Sequence, residues 1–188
     1  REPMPFDLLY WNADSTRMPA RMHSFYLRNM YLRNALKDPG GIELQGVPLD
    51  LRRVTTPAYF ISTAEDHIAP WQSTYQGARL LGGPVRFVLG GSGHIAGIIN
   101  PPAANKYGYW SQGDPLSDVE PRLPDDPDAW KQAATYVAGS WWSDWQAWID
   151  QLNEGVRVAA RKPGAGKFKA IEDAPGSYVR VRLAAKPG

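Results

Sequence analysis

Apolar positions divide this chain into a few periodic segments punctuated by Pro and Gly. Between residues 20 and 37, ARMHSFYLRNMYLRNALK sets Met22, Phe25, Tyr26, Leu32 and Leu36 close to helical spacing. Asp38-Pro39-Gly40-Gly41 ends that segment, because Pro and Gly do not continue a helix. IELQGVPLDL alternates around Gln45-Gly46 and predicts a small hairpin. Pro57 biases Thr56 toward extended backbone, and the apolar run Ala58 to Ser62 suits a strand buried on both faces. Trp71, Tyr75, Ala78 and Leu81 then share a helical face that stops at Gly82-Gly83, and Val85 to Leu89 is a second apolar run. Strand, helix, strand at this spacing predicts a βαβ unit: an α/β fold with a right-handed crossover and a parallel sheet.

Farther along, residues 111–128 are rich in Pro and Asp and read as surface loop. SWWSDWQAWIDQL places Trp141, Trp145, Trp148 and Leu152 on one stripe of an amphipathic helix, with Ser140 as its N-cap and Gly155 as its stop. The stripe predicts core packing, with sugar stacking or lipid contact as the alternative. Trp142 falls off the stripe and points to a partner surface. SYVRVRL alternates near the end and predicts an edge strand.

The two apolar runs also locate the chemistry. Parallel sheets bind ligands beyond the carboxyl ends of their strands. Asp66 follows the first run and His94, in GSGHIAG, follows the second, so topology brings to one edge two groups 28 residues apart. One reading is an imidazole base whose tautomer an orienting carboxylate fixes, with Gly91, Gly93 and Gly97 letting the backbone turn and substrate approach. The other is a glycine-rich turn with an incidental His, and an Asp that caps the helix opening near Pro70. His67, beside Asp66, faces a different direction from it and supports the site from outside at most, and His23 reads as a surface or packing residue. Three scattered histidines lack metal-ligand spacing, and no phosphate-binding Gly-rich loop with a following Lys is present. A triad also needs a nucleophile on a strand-to-helix elbow, yet Ser15, Ser24 and Ser62 all lack the Gly-x-Ser-x-Gly frame. The expectation is a nucleophile upstream of Arg1 in a longer protein, in keeping with a chain that opens without Met.

Composition narrows the classes. A chain of 188 residues, 43% hydrophobic, can bury a core, and the absence of cysteine excludes disulfides and thiolate metal sites within it. No apolar run approaches the roughly 18 residues of a membrane span. The balance of 21 basic to 19 acidic residues names no partner. Positive charge gathers at the end, where residues 155–188 carry eight Lys and Arg against Glu172 and Asp173. That reads as a solvated tail rather than a nucleic-acid site, since no aromatic interleaving accompanies it.

FDLLYWNADSTRMP, YLRNMYLRNAL, VPLDLRRVTTPAYF, EDHIAPW, FVLGGSGHIAGIINPP and SWWSDWQAWI together resemble the polyhydroxyalkanoate synthases, most closely the class I enzymes. The resemblance runs over nearly the whole chain in family order, and covers the carboxyl-terminal part of such an enzyme. It implies the C-terminal half of an α/β-hydrolase fold: residues 1–40 as the end of the mobile lid or cap, 41–154 as core, and 155–188 as a basic tail. The implied activity is polymerisation of (R)-3-hydroxyacyl groups from CoA thioesters with release of CoA, the growing polyester being carried on a Cys thiolate. No cofactor is implied, the CoA thioester being substrate. Asp66 in EDHIAPW matches the family's catalytic Asp and His94 in GSGHIAG its catalytic His, which implies that His94 activates the Cys, that Asp66 orients His94, and that either of the two deprotonates the 3-hydroxyl of the incoming unit. The family's Cys has no counterpart here, so this chain alone is expected to be inactive. The resemblance further implies a homodimer in the cytoplasm at the surface of a polymer granule. Two other functions stay open: an ester or thioester hydrolase with an upstream Ser, and a non-catalytic granule-binding module built on the tryptophan helix and tail.

Overall fold

The computed structural model describes residues 17–113, 123–153 and 156–181, so most of the opening motif, residues 114–122 of the expected loop, Gly155 and the last basic residues lie outside the described residues. The helix expected at residues 20–37 forms as α1 (Ala20–Tyr26), widens into a π-helical stretch over Leu27–Leu32 and ends in a short 3₁₀ turn. Its stripe is not buried among the described residues, and only Leu36 is half-covered. Met22, Phe25, Tyr26 and Leu32 are exposed, and Ala35 in the closing turn is buried instead. The hairpin of β1 (Glu43–Leu44) and β2 (Val47–Pro48) turns on Gln45 and Gly46, both at positive φ, as the tight turns that match strand twist require.

The sheet is mixed. β3 (Ala58–Thr63) and β4 (Val85–Gly90) pair in parallel from Ala58↔Val85 to Thr63↔Gly90, with α2 (Trp71–Ala78) as the crossover. Two antiparallel strands follow, β5 (Gly108–Ser111) against β4 and β6 (Thr135–Ala138) against β5, giving the order β3-β4-β5-β6. Leu81 lies beyond the end of α2. The segment expected to be loop is interrupted at both ends. Ser111 closes β5, and α3 (Pro127–Ala133) opens at Pro127 because Asp126 accepts from the Asp128 amide as N-cap. SYVRVRL does not form a strand in its described part. Residues Ser177–Arg180 make a 3₁₀ turn, with Tyr178, Val179 and Val181 exposed.

Pleating decides which helix covers which face. Phe60, Phe87 and Leu89 lie on one side of the parallel pair, and Tyr59, Arg86 and Val88 on the other. The first side meets α2 and α3. Trp71, Tyr75, Ala78, Phe87, Leu89 and Trp130 form the core there, and the Phe87 ring stands 5.0 Å from both Tyr75 and Trp130, edge to face. The second side meets α4 (Trp142–Leu152). Tyr59 donates to Asp144 at 2.8 Å, Arg86 Nε donates to the same carboxylate at 2.7 Å, and the Tyr59 ring packs on Trp148 and Trp141. A parallel pair buried on both faces needs this double cover.

The tryptophan helix thus departs from its expected role. No residue of α4 is fully buried, Trp145 and Leu152 remain exposed, and the stripe is a half-buried cover rather than core. Its N-cap is Trp141, with Ser140 one residue earlier accepting from the Trp142 amide.

Candidate active site

Backbone geometry builds the site at the carboxyl edge of β3 and β4. Ala64 N–H donates to the Gly90 carbonyl and Glu65 N–H to Ser92, which ties the two loops leaving the strands to each other. Beyond β4 the chain makes one helical turn, closed by Gly97 N–H to Gly93 and by Ile98 and Ile99 to Ile95, and His94 stands in its first turn. The turn does not rest on a left-handed glycine. The left-handed residue is Ser92, with φ of 69°, while Gly91, Gly93 and Gly97 keep negative or extended φ. Gly97 answers to crowding instead: a Cβ there would lie 2.4 Å from both the Gly91 carbonyl oxygen and the Thr63 methyl.

Asp66 and His94 meet. His94 Nδ1 lies 2.8 Å from Asp66 Oδ2, within the hydrogen-bond reach that an orienting carboxylate requires. Asp66 Oδ1 accepts from the backbone N–H groups of Ile68 and Ala69, each at 2.9 Å. The Ala69 amide first, then His94, hold the Asp66 carboxyl down to about 2, against partial burial that works the other way. An ionised carboxylate only accepts, so Nδ1 carries the ring proton and Nε2 keeps its lone pair free. The Asp66 side chain is 8% exposed and the His94 ring 45%, so the carboxylate is sheltered while the imidazole is open to a reacting group. His67 and His23 are exposed and take no part in this pair. Among the described residues no three His, Asp or Glu side chains converge as a metal site needs.

The sign of the pH dependence follows. The folded value of Asp66 lies below its ordinary 3.8, so its contribution is complete above about pH 4 and is lost as pH falls through about 2. We expect the Nδ1–H proton signal of His94, followed by NMR, to persist down to about pH 3 and vanish near pH 2. Loss already at pH 4 would mean that the carboxylate is not held.

Sequence reasoning missed the residues that hold the His94 turn from behind. Trp141 Nε1 donates to the carbonyls of Gly97 and Ile98 at 3.1 and 3.3 Å, Trp142 Nε1 donates to Ile98 at 3.0 Å, and the Ser140 hydroxyl donates to Asn100. Trp142 is half-buried, and its indole N–H is engaged within its own chain. Its off-stripe position was the available signal, since an indole outside the packing face needs another use for its N–H. A cleft of about 650 Å³, lined by Arg52, Arg79, Gly82, Gly83 and Val85 among others, opens at the far end of β4 and has no part in this geometry.

No family model matches the chain. Among curated proteins it is 53% identical over 182 residues to the poly(3-hydroxyalkanoate) polymerase subunit PhaC of Rhizobium meliloti, covering 97% of this chain and 28% of that protein. It is 44% identical over 180 residues to the subunit of the same name from Cupriavidus necator, covering 96% of this chain and 29% of that one. With the poly(3-hydroxyalkanoate) polymerase of Methylorubrum extorquens it shares 46% identity over 183 residues, 97% of this chain and 29% of the relative. The chain thus spans less than a third of the length of these relatives.

Proposed function

This chain belongs to the poly(3-hydroxyalkanoate) polymerase family, and from that premise we propose that in the whole protein it supplies the acid–base half of a Cys-His-Asp triad polymerising (R)-3-hydroxyacyl-CoA. The observation that carries the proposal is the Asp66–His94 hydrogen bond of 2.8 Å at the ligand edge of a parallel pair. With Nδ1 engaged by Asp66, Nε2 of His94 takes the proton of a cysteine thiol supplied by residues upstream of Arg1. The thiolate attacks the thioester carbonyl, the carbon–sulfur bond to CoA breaks, and the imidazolium returns its proton to the departing CoA sulfur. In elongation, Nε2 takes the proton of the 3-hydroxyl of one unit as that oxygen attacks the acyl-cysteine of another. The new ester forms, the carbon–sulfur bond of the acyl-cysteine breaks, and the cysteine sulfur leaves as a thiol with the proton returned from Nε2.

Asp66 orients rather than deprotonates. Both of its oxygens already accept hydrogen bonds, and a carboxyl held down to about 2 is a weak base at neutral pH. No helix among the described residues is long and apolar enough to cross a membrane. We place the enzyme's work at the surface of the growing polyester granule, with the CoA thioester as substrate and no further cofactor.

The test is product analysis on the full-length protein with 3-hydroxybutyryl-CoA. We expect CoA release matched by incorporation of 3-hydroxybutyrate into insoluble polyester. CoA release with free 3-hydroxybutyrate and no polymer would instead identify a thioester hydrolase.

A further inference from the structure

The helical turn that presents His94 has a weak point common to all helix ends: its last carbonyls have no intrahelical partner. Here the carbonyls of Gly97, Ile98 and Asn100 close the turn; Ile98 accepts from the Asn100 N–H at 3.0 Å, and all three are met by side chains from one tripeptide, Ser140-Trp141-Trp142. Ser140 and Asn100 are buried. The tripeptide is itself fixed to the sheet. Asp144, less than a turn into α4, is gripped by Arg86 of β4 and Tyr59 of β3, and the Trp141 ring lies 6.1 Å from that of Tyr59. A continuous set of contacts thus runs from the parallel strands through α4 to the back of the His94 turn, while Asp66 holds the ring from the other strand.

We propose that Trp141 and Trp142 are positioning residues for His94. Their indole N–H groups hold the turn at a fixed height above the sheet, so that the imidazole is locked to Asp66 and Nε2 is aimed at the reacting atoms. They act through the backbone of Gly97 and Ile98 and touch neither substrate nor the imidazole. The inference rests on the reading of His94 as the base.

The decisive variant removes the donor and nothing else. Incorporation of 3-benzothienylalanine, in which sulfur replaces the indole N–H, at positions 141 and 142 of the full-length protein keeps ring size and packing. The simpler Trp141→Phe/Trp142→Phe pair is the second variant. We expect kcat for CoA release to fall about 10- to 100-fold, as for a misplacement of about 1 Å. KM for 3-hydroxybutyryl-CoA should stay within about twofold, since uniform binding is untouched. The downfield Nδ1–H signal of His94 should broaden or disappear. A wild-type kcat and an unchanged signal in the isostere, alongside an inactive His94→Ala control, would overturn the positioning role alone. A raised KM at unchanged kcat would also overturn it, since the indoles would then be substrate contacts. Wild-type turnover in His94→Ala would overturn the base assignment and this inference with it.

Discussion

His94→Ala in the full-length protein is expected to lower CoA release from 3-hydroxybutyryl-CoA by about 10³-fold or more, and Asp66→Asn by a comparable factor. The two losses have different origins. Alanine removes the nitrogen that takes the proton. Asparagine keeps the size of Asp66 but offers an amide whose NH₂ group donates, which favours the ring tautomer with the proton on Nε2, where the lone pair is needed. The single bond of 2.8 Å between Oδ2 and Nδ1 makes this consequence sharp, because Oδ1 is occupied by the Ile68 and Ala69 amides and cannot take over. The double variant should be little worse than either single one, since members of such a unit act together and their effects are not additive. Turnover within about tenfold of wild type in either single variant would remove the residue from the mechanism.

The second large effect concerns stability. Asp144→Ala is expected to destabilise the fold by about 3–5 kcal/mol, measured by urea unfolding of the full-length protein. The Asp144 side chain is 13% exposed and its partner Arg86 8%, so the pair is well inside the α4–sheet interface. Truncation leaves the guanidinium buried with only backbone carbonyls, Gly113 at 2.8 Å and Gln112 at 3.4 Å. It also strips the Tyr59 hydroxyl of its acceptor. Burial first, and then the Asp144 carboxylate, push that hydroxyl far above its ordinary range, so it stays protonated and needs somewhere to donate. Asp144→Asn should cost less than Ala, because it keeps one acceptor oxygen. A loss under about 1 kcal/mol for Asp144→Ala would show that water replaces the carboxylate and that α4 is loosely held.

The parts of the fold that could be read from sequence share a property: their signal is local. The apolar runs of β3 and β4, the Gly82-Gly83 stop after α2 and the Gln45-Gly46 turn each express a preference of a few consecutive residues. What was misread depended on neighbours. β5 and β6 have four residues each, too few for alternation to stand out, and they become strands because β4 offers an edge to β5 and β5 in turn to β6. SYVRVRL shows the converse. Its alternation is as good as any in the chain, but its described residues pair with no described strand and settle into a 3₁₀ turn. The stripe of α1 follows the same logic: it has helical periodicity, but Met22, Phe25, Tyr26 and Leu32 stay exposed. Asp126 as N-cap of α3 was legible but was masked by the Pro and Asp around it.

The candidate site divides along the same line. The sequence by itself determined that Asp66 and His94 would lie at one edge, because right-handed βαβ topology leaves little choice once two parallel strands are recognised. It also located the glycines that matter, though not their use: crowding at Gly97 and a left-handed Ser92 appear only when the loops leaving β3 and β4 are packed together. Only the tertiary structure decided which atoms of Asp66 and His94 bond, and that Ser140, Trp141 and Trp142 brace the turn from 40 to 44 residues away. Strand periodicity is written residue by residue. A hydrogen bond between distant side chains depends on how α4 and the sheet dock, and that docking is fixed by contacts such as Arg86–Asp144 and Tyr59–Asp144 that no local pattern records.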